Sequence, residues 1–268
     1  NRIIMPEGAI ENIDFTNTEQ YTLSIRLSTD GFSFSVYNPL QEGESFLSEW
    51  SIETSLSLTA NLKRVFQESE LLKHAYKRVN LIITSKRFTT VPLELFEDEQ
   101  AEAFFYHNHT PKENEVVLYN VLKKNNIVII FGMDKSAHLF LTEQFPEGKF
   151  YSQTSPMTEY FSAKSKLGNS KKMYATVRQQ SVDIYCFERG QLLLANSFDY
   201  KQSEDLIYYL LHIWQQLNFS QERDELHLTG TIRDKERFAL ELRRFLTHVF
   251  IIPQSTFTDI QTLISCEL

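Results

Sequence analysis

Residues 21–36 read YTLSIRLSTDGFSFSV, and their pattern decides how the rest of the chain is parsed. Tyr21, Leu23, Ile25 and Leu27 alternate with Thr22, Ser24 and Arg26, the two-residue period of a strand with one buried face. Ser28, Thr29, Asp30 and Gly31 supply turn residues, after which Phe32, Phe34 and Val36 alternate again. Two alternating runs around an Asp-Gly pair predict a β-hairpin with a type I′ turn at Asp30-Gly31. A third strand is expected over residues 45–52. Leu58, Leu62, Val65, Phe66, Leu72 and Tyr76 then recur at helical spacing behind Ser57 as N-cap. Leu81, Ile82 and Ile83 follow as a short buried strand.

The same order returns in the second half. Strands are expected over residues 173–177, 182–187 and 191–198, the last two joined at Arg189-Gly190. Ser203 is placed to cap a helix carrying Leu206, Leu210, Trp214 and Leu217, and Leu226, His227 and Leu228 form the next strand. Asp234 caps another helix, with Phe238, Leu242, Phe245 and Leu246 on its buried side, before a strand over 249–252. Element order is therefore duplicated within the chain. The predicted class is α/β, with two tandem lobes that each run β-β-β-α-β-α-β around a mixed sheet.

The first half is longer. Val91, Pro92, Leu93 and Glu94 lead into an acidic helix start at Glu97, Asp98 and Glu99, where carboxylates suit the helix dipole. Strands over 116–122, 127–131 and 137–142 read as a β-meander inserted at about residues 112–147. Phe150, Tyr151 and Ser152, then a helix near 158–163, close that half. Residues 164–172 carry Lys164, Lys166, Lys171 and Lys172 with Gly168 and Asn169, and read as a solvated junction. Lobe 1 is then residues 1–165 and lobe 2 residues 171–268. Phe257, Ile260, Leu263 and Ile264 stand at helical spacing in the terminal segment, which either packs back on lobe 1 or offers a helix to a partner.

Composition excludes several classes. The 268 residues include 27 basic and 35 acidic side chains, for a net charge of −8. That balance disfavours nucleic acid or an anionic membrane as an obligate partner. Cys186 and Cys266 cannot make a disulfide framework, so reduced thiols and a cytoplasmic location are expected. Nothing approaches the roughly 18 apolar residues of a membrane span, and residues 1–20 lack the basic-then-apolar order of a secretory leader. Only 8 glycines are present, none spaced as G-x-G-x-x-G or a Walker A loop. No G-x-S-x-G elbow places a nucleophile. His107 and His109 fit an exposed loop better than a metal site, and His138, His212 and His248 read as core or edge residues. Cys186, between Tyr185 and Phe187, reads as a buried inert thiol.

Two tandem lobes, an early hairpin and an insertion in the first lobe resemble the actin-like ATPase superfamily, which includes sugar kinases, chaperones and bacterial cell-division and pilus-assembly actins. Residues 81–96, LIITSKRFTTVPLELF, are similar to the strand-to-helix passage of the chaperone branch. More narrowly, the chain resembles an uncharacterised bacterial family with an actin-like ATPase-related, ribonuclease H-like fold. The resemblance implies a hairpin in each lobe that carries Asp-x-Gly, wraps phosphates and helps to hold magnesium. The matching places are Ile25-Arg26-Leu27-Ser28 and Val177-Arg178-Gln179-Gln180, where arginine replaces the aspartate and the glycine is missing. Arginine cannot ligate magnesium. The adenosine turn matches residues 226–232, with Thr229, Gly230 and Thr231 where a paired glycine is expected.

These departures define a vestigial cleft whose candidates are Arg26, Ser28, Arg178, Gln180, Thr229, Gly230 and Thr231. No catalytic residue and no metal ligand is assigned. The expectation is a cytosolic actin-like protein with degenerate nucleotide-binding loops, a non-catalytic binding or assembly factor for a protein or peptide. No cofactor is expected. The alternative is a divergent ATPase or kinase that retains ATP with magnesium between the lobes. The two arginines have two readings as well: an anion or carboxylate site, or ordinary salt bridges and solvent exposure.

Overall fold

β1 (Thr22–Leu27) pairs antiparallel with β2 (Gly31–Tyr37), and β2 with β3 (Ser45–Ser51), in a computed structural model that describes residues 13–41, 45–232, 234–253, 258–266 and 268. α1 (Leu58–Glu68) starts at Ser57, whose side chain accepts from the Ala60 N–H. It crosses to β4 (Arg78–Ile83), parallel to β1. Next come β5 (Phe88–Pro92), α2 (Ala101–Asn108), β6 (Glu115–Leu122), β7 (Ile127–Asp134) and α3 (Lys135–Gln144). β8 (Lys149–Ser152) then lies parallel to β4, and α4 (Thr154–Ser165) follows. The second lobe comprises β9 (Lys172–Val177), β10 (Ser181–Glu188), β11 (Gln191–Asp199), α5 (Ser203–Gln216), β12 (Glu225–Gly230), α6 (Lys235–Leu242), β13 (His248–Ile251) and α7 (Thr258–Ser265). Sheet orders are β3-β2-β1-β4-β8 and β11-β10-β9-β12-β13, so the two lobes share one topology.

Each sheet has an apolar face under its crossover helices. Leu23, Ile25 and Leu27 of β1 pack with Leu62 and Val65 of α1. Met173, Ala175 and Val177 of β9 pack with Leu206 and Leu210 of α5 and Phe238 of α6. The opposite faces are covered by exchange between the lobes. Met157 and Phe161 of α4, which follows the first sheet, pack on Tyr174, Tyr185 and Phe187 of the second. Ile260 and Leu263 of α7, which follows the second sheet, pack on Ile82 and Tyr151 of the first. Both residues of α7 are buried, and burying each contributes roughly 1.5–3 kcal/mol relative to exposure.

A third, smaller sheet in order β5-β7-β6 fills the long stretch of the first half. Here the structure corrects the sequence reading: residues 137–142 lie in α3, and Phe88–Pro92 supplies the remaining strand. Asp134 decides the first point, because its carboxylate accepts from the Ala137 N–H at 2.8 Å and starts a helix. The run at 81–96 is consequently two strands and a short 3-10 turn rather than strand-to-helix. Asn120 of β6 guards the free edge of β8, donating to the Phe150 carbonyl and accepting from the Ser152 N–H, both at 2.9 Å.

Other expectations shift locally. Neither Asp30 nor Gly31 has a positive φ, so the first hairpin does not have a type I′ turn. Ser28 Oγ accepts from the N–H of Asp30 and Gly31, and Gly31 is small because a Cβ would overlap the Trp50 carbonyl oxygen. The paired positive φ values occur at Arg189 (50°) and Gly190 (88°). α1 ends at Glu68, leaving Leu72 in a 3-10 turn and Tyr76 beyond it. Gln202, not Ser203, caps α5 together with Asp205. Phe245 lies past α6 and is exposed, as is His212.

Lys164 and Lys166 are exposed, as a solvated junction requires, but the end of the stretch is packed. Lys172 is buried and donates to Leu167 and Ser170 carbonyls, while Lys164 and Lys171 lie over the rings of Tyr160 and Phe219. Their stems cover apolar surface while the ammonium groups find oxygens or aromatic faces. Phe257 lies outside the described residues.

Candidate functional site

Strand register fixes which residues of the two lobes correspond. Leu27 stands opposite Phe32 and Ile83, and Val177 opposite Val182 and Gly230. Val177 is therefore the counterpart of Leu27, Thr176 of Arg26 and Arg178 of Ser28. The matched turns agree, because Ser28 N–H donates to Gly31 O at 3.0 Å and Arg178 N–H to Ser181 O at 2.8 Å. Aligning Arg26 with Arg178 is thus one residue out of phase. On a strand that slip exchanges faces: Arg26 belongs to β1, and Arg178 to the turn after β9.

The two arginines nevertheless meet in one network. Arg26 donates from Nε and Nη2 to Asp259 Oδ2 and Oδ1, at 2.8 and 2.5 Å. Gln153, the N-cap residue of α4, donates from Nε2 to Asp259 Oδ2 at 2.9 Å. Its Oε1 accepts from Arg178 Nη2 at 2.7 Å. Arg178 Nη1 pairs with Asp183 Oδ2 at 2.5 Å, and Asp183 Oδ1 accepts from Ser197 Oγ at 2.7 Å. The connected groups run from β1 through α7 and the start of α4 to the first hairpin of the second lobe. Two guanidinium groups face two carboxylates, so the charges cancel locally.

Local structure accounts for these positions. Gln153 N–H donates to Ile83 O at 2.9 Å, continuing the β8–β4 pairing and setting its side chain at the mouth of α4. Asp259 lies in the first turn of α7 and is almost wholly buried, where a carboxylate requires a partner. Tyr185 sits among these groups. Burial pushes its phenol far up, and the charge of Asp183 adds to that effect.

The remaining candidates lie around the strand ends. Ser28 Oγ closes its own turn, and Gln180 is exposed, with its carbonyl accepting from the Tyr200 N–H. Thr229 is buried. Gly230 has φ +93°, and a Cβ there would overlap the Val177 backbone. Thr231 N–H donates to Val177 O at 2.7 Å, as Thr84 N–H donates to Leu27 O in the first lobe. Close backbone approach within the sheet thus accounts for the glycine.

His107 and His109 stand at the end of α2 rather than in a loop, and a ring nitrogen of His109 is bonded to the Phe88 carbonyl. Cys186 is buried, which pushes its thiol up. Among the described residues no group of three or more His, Cys, Asp or Glu is arranged to hold a metal. No helix there is long and apolar enough to cross a membrane.

Gln153, Asp183 and Asp259 were not singled out from the sequence. Asp183 had a visible signal, a carboxylate inside the apolar run 182–187 that arginine or hydroxyl groups must satisfy. Asp259 had only its place before Ile260, and nothing local pairs it with Arg26.

Comparison with solved structures places this architecture. A Bacteroides thetaiotaomicron protein with actin-like ATPase fold and unknown function is 64% identical over 95% of this chain and 99% of that chain, with a TM-score of 0.89. The PilM-PilN type IV pilus biogenesis complex is 11% identical over 89% of each chain, with a TM-score of 0.54, a likeness of fold alone. No curated protein matches the sequence. A family model for a protein of unknown function, DUF3822, matches residues 10–249. With its duplicated lobes and actin-like ATPase fold, the chain belongs to the DUF3822 family.

Proposed function

We propose that this protein is a non-catalytic binding or assembly factor, an actin-like body whose nucleotide-binding loops have degenerated. The observation that supports this is the network from Arg26 through Asp259 and Gln153 to Arg178. Triphosphate binding needs uncompensated positive charge or clustered backbone N–H groups, and a magnesium ion needs hard oxygen ligands. In this cleft the guanidinium groups are paired with Asp259 and Asp183, so those carboxylates are already engaged. Opening the network for a nucleotide would strand buried charges, which costs several kcal/mol.

The partner in this reading is a protein or peptide. A shared fold with a pilus biogenesis complex makes an adaptor role familiar for the architecture, but fold does not carry function. Titration calorimetry with ATP and magnesium tests the proposal. The expected result is no binding through the millimolar range. Micromolar binding would overturn it in favour of a divergent ATPase or kinase with its site between the lobes.

A further inference from the structure

The outward side of α2 carries features that neither the fold nor the cleft explains. An open pocket of about 350 Å³ is lined by Gln100, Ala103, Phe104 and His107. Phe105, on the other side of the helix, is fully buried against Val91, Val128 and Ile130. The helix is therefore anchored by one side and leaves Ala103 and half-buried Phe104 open to solvent.

The segment that leads into this helix and begins it is acidic. Glu94, Glu97, Asp98, Glu99 and Glu102 are all exposed, and residues 88–111 contain no lysine or arginine. None of these carboxylates is ion-paired among the described residues. A helix dipole acts over the first turn, and a 3-10 turn over 98–100 with Glu97 as its N-cap runs straight into α2, so the dipole accounts for Glu97, Asp98, Glu99 and Glu102 but not for Glu94. Apolar groups are also exposed nearby in the fold: Leu95 is 60% exposed, and Tyr119, whose ring lies against Phe96, is 37% exposed. A depression that exposes Ala103 and Phe104 beside a run of acidic side chains without ion-pair partners is complementary to one kind of partner.

We propose that this face docks a basic, amphipathic segment of a protein partner. An apolar anchor enters the pocket over Ala103 and Phe104, and flanking lysine or arginine side chains meet Glu97, Asp98, Glu99 and Glu102. The proposal rests on the reading of the chain as a binding protein only in expecting a protein partner. ATP binding between the lobes would leave it standing, because the two surfaces share no residue.

The probe is a fluorescein-labelled peptide with Lys and Leu at helical spacing and one Trp, read by anisotropy against the full chain at physiological ionic strength. Two variants change only exposed positions: A103W fills the pocket, and D98N/E99Q/E102Q neutralises the rim. Circular dichroism establishes that both remain folded. The expected result is micromolar binding that each variant weakens about tenfold or more, and no binding of the same peptide with Glu replacing Lys. Absent binding, equal binding of the Glu peptide, or loss in only one variant would overturn the proposal. Loss in the rim variant alone marks unspecific attraction, and loss in A103W alone marks a partner that is apolar but not basic.

Discussion

Asp259 holds Arg26 through two hydrogen bonds across 233 positions of sequence. The first turn of the last described helix is thereby tied to the first strand. The pair lies where α4 and α7 cross between the lobes, and Gln153 shares it with the second lobe. Charge pairing and helix exchange therefore act together: Ile260 and Leu263 supply apolar contact with the first sheet, and Asp259 sets the register of α7 against β1.

Removing one member of this pair takes from the other the opposite charge it faces, although Asp259 keeps its bond from Gln153. Arg26→Ala leaves a buried carboxylate, and Asp259→Ala leaves a guanidinium that is 14% exposed. Each is expected to cost about 3–5 kcal/mol in urea unfolding, the usual loss for one partner of a buried ion pair. The double variant R26M/D259L should be more stable than either single variant, because both charged groups are removed together. Losses below about 1 kcal/mol would mean that water or neighbouring groups substitute freely at this position.

Gly230 and Gly168 provide a paired test of backbone freedom. Both have positive φ, at +93° and +77°. A Cβ at Gly230 would overlap the Val177 backbone, whereas at Gly168 the nearest atom is Lys172 Nζ at 3.9 Å. Gly168→Ala should cost about 1–2 kcal/mol, the penalty of a left-handed conformation for an L-residue. Gly230→Ala adds steric overlap and should cost about 3 kcal/mol or more. Equal losses would show that β12 can shift away from β9, and thermal unfolding of the two variants decides the matter.

The lobes were legible because their signals are local. Leu23, Ile25 and Leu27 alternate within one strand, and Ser57 and Asp234 sit immediately before the helices they cap. Phase was harder to read. Arg26 and Arg178 look like counterparts by composition, yet strand register pairs Arg26 with Thr176. The apolar residues at 137–142 satisfy a strand or a helix equally, and the Asp134 cap settled them outside that window. Phe88–Pro92 is recognisable as a strand only once β7 lies beside it. Gln153, Asp183 and Asp259 belong to the cleft through contacts between distant elements, which no local pattern encodes.

Glu159 supplies a test of burial against charge. It lies on α4, is 8% exposed, and among the described residues its Oε1 has no hydrogen-bond partner. Burial raises its pKa above the ordinary 4.5, while Lys124 and Lys166 pull it down without cancelling the rise. The folded state therefore binds more protons than the unfolded state between 4.5 and the raised value. Its contribution to stability is fully present below pH 4.5 and is lost as pH rises through the folded value. Glu159→Gln keeps the neutral shape at every pH, so its urea midpoint should exceed that of the native chain at pH 7. Below pH 4.5 the two should converge, provided both remain folded there. A glutamine variant that is less stable at pH 7 would show that the two lysines outweigh desolvation, reversing the sign assigned to Glu159.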